Sequence, residues 1–253
     1  MGLDIYAGTL TRYYAHNWKT VTQQWAEQNG CGFQRIAPEE GWEKLSPAQI
    51  QKSVEAWRDQ ILNAITGPNQ KPYAPWTEDN KKPYFTDKPD WDAFGALLLV
   101  AACHVYEDPV PSTVPKDWKF MEHPSIKRLS EDREKFWSLF RGTDWWLPLP
   151  DSMLFRVPLP NGDQRMLATT AILRDELKRI NAMVWKAQED TILSWSRTEG
   201  YPADGSIGVG GGITMEKEHL QYDTQSLAKF AFSLFWQALK FAEENQVPIL
   251  LDY

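Results

Sequence analysis

The chain has 253 residues, enough for one large domain or two small ones. Its 42% hydrophobic content can build a core and excludes disorder over most of the length. A net charge of −7, from 34 acidic against 27 basic residues, argues against a general polyanion binder, whose affinity depends on Lys and Arg neutralising phosphates; it suits ordinary solubility, or a partner that is basic.

Residues 2–9 alternate, with Leu3, Ile5 and Ala7 on one side and Asp4 and Tyr6 on the other, so a half-buried strand is expected. Asn17 is expected to cap a helix that turns Trp18, Val21 and Trp25 to one face and stops at Gly30. Residues 31–45 are irregular. Ser46-Pro47-Ala48-Gln49 carries a capping box with proline in the first turn. The stripe Ile50, Val54, Trp57, Ile61, Leu62 and Ile65 then predicts a helix that Gly67-Pro68 ends.

Residues 67–90 hold five prolines and little periodicity, which predicts a long surface loop, a lid or flap in functional terms. Its aromatics Tyr73, Trp76, Tyr84 and Phe85 imply that it lies against the body. A buried helix is expected from Asp90 or Asp92 to about Tyr106, followed by a second Pro-rich loop over 107–124. Ser130–Arg141 reads as a helix with Phe136, Trp137 and Phe140 inward.

Met153–Val157 and Arg165–Thr169 flank Pro160-Asn-Gly-Asp163, the strongest hairpin signal in the chain. Pro158 and Pro160 cannot donate to the ladder, which leaves the register open. Thr169 or Thr170 starts a helix to about Trp195, with Leu173, Leu177, Ile180, Val184 and Ala187 as its seam. A Gly-rich loop over 203–213 leads to the most apolar helix, Asp223–Asn245, and Pro248–Asp252 closes as a short strand. Only a strip through Gln225, Lys229, Ser233, Gln237, Lys240 and Glu244 looks solvated on that helix, so the rest of the chain must cover it. The fold class that follows is α+β and helix-rich, a small mostly antiparallel sheet on a helical body around the C-terminal helix, as a single domain over 1–253.

Two cysteines, Cys31 and Cys103, make no disulfide framework, and no Cys/His cluster suggests a metal. No cofactor is expected. The start MGLDIYAGTL shows no signal peptide, and its sixth residue, Tyr6, misses the myristoylation pattern. The longest apolar run, Ala96–Cys103, is far shorter than the ~20 residues of a membrane span. A cytoplasmic chain with no membrane or nucleic-acid partner is the expectation; oligomeric state is not legible.

Gly208-x-Gly210 is followed by Ile213 where a dinucleotide loop needs glycine, and no Gly-Lys-Ser/Thr follows. The segment reads as a connector, or as a gate over 205–212 beside a cleft. His104, His123 and His219 have structural readings: a core bond, a turn and a solvated stretch. His16 sits in an aromatic strand-to-helix connection, a place where functional groups gather, though capping explains it equally. If the first and last strands are neighbours, Asp4 and Asp252 share a site and can divide acid and base roles. No nucleophile elbow and no H-E-x-x-H is present.

Tryptophan is enriched at 13 residues, five of them in connections: Trp42, Trp76, Trp118, Trp145 and Trp146. Two adjacent indoles in Asp144-Trp145-Trp146-Leu147-Pro148 resist joint burial, so this segment is the expected contact surface, with Trp76 and Trp118 beside it. Joint burial under a loop is the competing reading. The acidic, Trp-rich makeup is similar in composition to bacterial immunity proteins that neutralise a toxin, a resemblance that covers no motif. The leading expectation is thus a non-catalytic protein that binds a protein partner through an acidic, Trp-rich surface. A small-molecule hydrolase using Asp4, His16 and Asp252 is the alternative, and carbohydrate binding through the tryptophans a third.

Overall fold

The computed structural model describes residues 2–32, 45–65, 71–132, 135, 138–201 and 221–253. Their contacts gather into two compact units. A sheet unit comprises the described residues of Asp4–Lys88, Gly142–Arg174 and Ala238–Tyr253; a helical unit comprises Gly2, Leu3 and the described residues of Pro89–Arg141 and Asp175–Gln237. The class is α+β and helix-rich, with a mostly antiparallel sheet.

Among the described residues the sheet unit carries six strands: β1 (Asp4–Ala7), β2 (Phe85–Asp87), β4 (Trp145–Leu147), β5 (Leu154–Pro158), β6 (Gln164–Thr169) and β8 (Ile249–Asp252). Their order is β2-β1-β8-β4-β6-β5, and only the β4–β6 pair is parallel. The helical unit holds a separate ribbon of β3 (Thr113–Pro115) with β7 (Gln221–Asp223).

β1 is buried at Ile5, Tyr6 and Ala7, so Tyr6 does not share a wet face with Asp4 as the alternation suggested. Its ring lies 4.8 Å from Trp18 and 5.9 Å from Tyr84, and its hydroxyl donates to Thr9 O at 3.0 Å. Aromatic packing with one satisfied polar tip overrides the alternation. The chain turns directly over this ring: a Cβ on Gly8 would lie 2.4 Å from the Tyr6 hydroxyl oxygen.

Thr9 caps a short helix, α1 (Leu10–Tyr14), that the sequence reading missed. The following helix, α2 (Val21–Gln28), is capped by Thr20 rather than Asn17, through a full Thr20/Gln23 capping box. It leaves Val21 and Trp25 exposed, where an inward face was expected. α3 (Pro47–Ala64) has the expected Ser46/Gln49 box and buries Ile50, Val54, Trp57, Ile61 and Leu62. These join Leu10, Tyr14, Trp145, Leu167 and Leu250 in the core on one face of the sheet.

The described part of the 67–90 loop lies down as its aromatics implied. Trp76 is buried and donates through Nε1 to Glu78 Oε1 at 2.9 Å. Glu78, also buried, takes the Thr11 N–H at 2.8 Å and the Leu10 N–H at 3.3 Å, so one carboxylate satisfies the opening donors of α1. The loop then enters the sheet as β2. The hairpin forms as expected, with Pro158 opposite Gln164 on the edge strand and a wider Leu159–Asp163 turn in place of a two-residue one.

In the helical unit, α4 (Asp90–Tyr106) is buried from Asp92 to Cys103. The helix expected over 130–141 is displaced. α5 runs Pro124–Glu131, with His123 accepting at its cap from Ser125 N, and a 3₁₀ turn follows at Ser138–Phe140. Phe136 and Trp137 lie outside the described residues. The helix expected from Thr170 to Trp195 is two, α6 (Thr170–Val184) and α7 (Glu189–Thr198). Lys186 breaks it with φ 52°, and the Asn181 amide exchanges two hydrogen bonds with the Ala187 backbone there, at 2.9 and 3.0 Å. α8 (Thr224–Asn245) is covered almost throughout; of its residues only Lys240 and Glu244 are exposed, and Ser233, expected in the solvated strip, is fully buried. Among the described residues no helix is long and apolar enough to cross a membrane.

Candidate functional site

The sheet unit contains a cleft of about 140 Å³, where α1, the end of β8, the start of β4 and the β5–β6 hairpin meet. A single water needs only about 10–15 Å³, so the space admits a small organic group. Strand register builds it. Trp145 pairs with Leu250 across β4–β8 and with Leu167 across β4–β6, and Leu251 N donates to Asp144 O at 2.8 Å. Asp144 is thereby held beside the end of β8, and the hairpin brings Asn161, Asp163 and Arg165 to the same cleft.

Trp145 is 5% exposed and its ring lies 6.3 Å from both Tyr13 and Tyr14 of α1 and 6.2 Å from Trp57. Around these rings sit three carboxylates. Asp144 is only 7% exposed; Arg165 Nη1 donates to its Oδ2 at 3.1 Å, and the Tyr253 hydroxyl to the same oxygen at 3.4 Å. Its Oδ1 is buried and takes no hydrogen bond from another residue. Burial pushes the Asp144 carboxyl up, and the Arg165 guanidinium only partly opposes this. Asp252 Oδ1 accepts from the Tyr13 hydroxyl at 2.5 Å. Asp163 Oδ2 accepts from Asn161 Nδ2 at 3.0 Å. The chemical character is acidic and aromatic, with one internal cation.

Trp145 and Trp146 are not an exposed platform: they are adjacent residues of a central strand, 5% and 0% exposed. Alternation along a strand sends neighbours to opposite faces, which is how both indoles are buried at once. Asp144 and Trp145 line the cleft; Trp146 does not. Trp76 is a core residue, 6.5 Å from Trp57. Trp118 is half-buried in the helical unit, with its ring 6.1 Å from Phe120.

β1 and β8 are neighbours, and Asp4 stands directly opposite Asp252 in the register. Only Asp252 lines the cleft. His16 is exposed at φ 50°, two residues past the end of α1, and is outside the lining. The Gly-rich loop at 203–213, with its expected gate at 205–212, lies outside the described residues. Among the described residues no group of three or more His, Cys, Asp or Glu could hold a metal ion.

Tyr13, Tyr14, Asn161, Asp163, Arg165 and Tyr253 were not singled out from sequence. The RYYAHN stretch drew attention to His16, while its tyrosines face the cleft. The hairpin turn was read for conformation only, although N-G-D-x-R places two charges where a tight turn must present them.

No protein-family model, curated protein or solved structure matches this chain.

Proposed function

We propose that this chain is a binding protein without catalysis that receives a basic group of a protein partner in the cleft around Asp144. One observation carries the reading: a nearly buried carboxylate lines an acidic cleft and is compensated on one oxygen only, by an arginine that is itself 42% exposed at its side chain. A buried charge is stable when paired and hydrogen-bonded, so an entering cation gains what Asp144 lacks. The surplus of acidic residues favours approach of a basic partner. Neutralisation of a basic toxin is one concrete form. The contact surface differs from the Trp-rich loops expected from sequence, because Trp76, Trp145 and Trp146 are buried and Trp118 is half-buried.

The test is titration of the isotope-labelled full chain with a soluble basic peptide containing both Lys and Arg, followed by NMR. Shifts centred on Tyr13, Trp145 and Tyr253, lost in Asp144→Asn, support the reading. Shifts spread over the acidic surface with none at the cleft would end it.

A hydrolase is the second reading, favoured by one observation: burial pushes Asp144 up in a cleft that also holds Asp252. A carboxyl whose hold on its proton is strengthened by burial, beside a second carboxylate, suits general acid work. Turnover of ester, amide or phosphoester substrates that disappears in Asp144→Asn would move the assignment to catalysis; no turnover by the wild-type chain removes it.

A further inference from the structure

We infer that the cleft selects a primary alkylammonium, the head of a lysine side chain, over a guanidinium, an inference that rests on the reading that a basic group enters there. Three carboxylates line the cleft, and each already has one oxygen engaged. Asp144 Oδ2 holds Arg165 and Tyr253, Asp163 Oδ2 holds the Asn161 amide, and Asp252 Oδ1 holds the Tyr13 hydroxyl. A guanidinium is recognised best by two parallel N–H bonds to both oxygens of one carboxylate. No carboxylate of this cleft offers that edge. The protein's own guanidinium conforms, since Arg165 reaches Asp144 through Nη1 to one oxygen.

An ammonium has different needs. It is a compact point charge with three donors, and it gathers single oxygens from separate residues without a planar fork. The remaining lining suits its stem and its charge. Leu159 and Leu251 supply apolar wall for methylenes, and Tyr13, Tyr14 and Trp145 make the lining aromatic, which favours a cation. Asp144, almost out of solvent with its Oδ1 bonded to no other residue, is the group whose charge the ammonium completes.

The source of the ammonium is a lysine side chain of the partner or a free alkylamine, and two arms separate them. In the first, the full chain is titrated with n-butylammonium and with n-butylguanidinium, read by the Tyr13 and Trp145 NMR signals. Binding of the amine, roughly tenfold tighter than the guanidinium, is expected, about the effect of one charge-assisted hydrogen bond. Equal or tighter guanidinium binding overturns the selectivity while leaving the basic-partner reading intact. Binding of neither, with the mixed peptide still perturbing the cleft, also overturns it.

In the second arm, a Lys-containing peptide is compared with its Arg counterpart and with the amine alone. Tighter binding of the Lys peptide than of the amine assigns a protein lysine; equal binding assigns a free amine. Arg165→Gln guards against loss of binding through misfolding. Removing the internal cation is expected to tighten the amine roughly fivefold, since a like charge near the site is gone. Unchanged or weaker amine binding by folded Arg165→Gln would contradict the placement.

Discussion

Two buried carboxylates of the sheet unit, Glu78 and Asp144, have almost the same exposure, 2% and 7%, and opposite situations. Glu78 accepts three N–H donors, from Leu10, Thr11 and Trp76. It fastens the 71–84 segment to the start of α1 and is not part of the cleft lining. Asp144 has one oxygen engaged, beside a half-exposed arginine, and stands on a cleft. Burial raises the pKa of both. The difference teaches that burial of a charge does not by itself mark function; what counts is whether the protein has supplied all of its partners.

The comparison can be broken most severely at the shared floor. Trp145→Ala empties the core beneath the cleft and is expected to destabilise the chain by about 3–5 kcal/mol, read by chemical denaturation. Glu78→Ala leaves three donors without an acceptor and is expected to cost about 3 kcal/mol with no effect on the cleft signals. A loss below about 1 kcal/mol would mean that Glu78 is as poorly compensated as Asp144.

A third carboxylate, Glu176 of the helical unit, sharpens the contrast through pH. It is 5% exposed and accepts from Ser138 N, from Ser138 Oγ at 2.7 Å and from Leu139 N at 3.4 Å. Burial outweighs these donors and lifts its pKa from 4.5 to about 7. A raised folded-state pKa means that the native state holds the proton more tightly than the unfolded chain. The associated stability is complete below about pH 4.5 and is lost as pH rises through about 7. Thermal unfolding followed from pH 5 to 8 is expected to show a decline worth about 2–3 kcal/mol, flattened in Glu176→Gln. The smallest effect belongs to Asp144→Asn, which is expected to change stability by less than about 1 kcal/mol, since the Arg165 partner of its ion pair is 42% exposed at its side chain and returns to water. Its consequence should appear in binding.

Local signals were the most legible in the sequence. The Ser46/Gln49 box, the apolar stripe of α3, the Asn-Gly hairpin and the wide apolar face of α8 each follow from a short stretch and formed as expected. Where a distant partner decides, the sequence was silent or pointed elsewhere. Trp145-Trp146 reads as a loop until β6 and β8 are known to flank it. Trp25 falls on the face of its helix expected to turn inward, yet among the described residues it is 58% exposed. The α6–α7 break is encoded by the Asn181 amide, whose bonds to Ala187 cannot be told from an ordinary helical Asn. The Asp4–Asp252 pairing was anticipated from strand neighbours, while the cleft depends on a hairpin and a helix from other parts of the chain.

The most direct measurement of the central claim compares two variants of equal charge. Asp144→Asn and Glu244→Gln each remove one negative charge, the first at the cleft and the second at an exposed position of α8. Affinity for the same basic peptide, measured calorimetrically on folded protein at fixed salt, should fall roughly tenfold in Asp144→Asn, about one charge-assisted contact, and stay within about twofold of wild type in Glu244→Gln. Equal losses in the two variants would show that the peptide answers to net charge alone, and the cleft would lose its assignment.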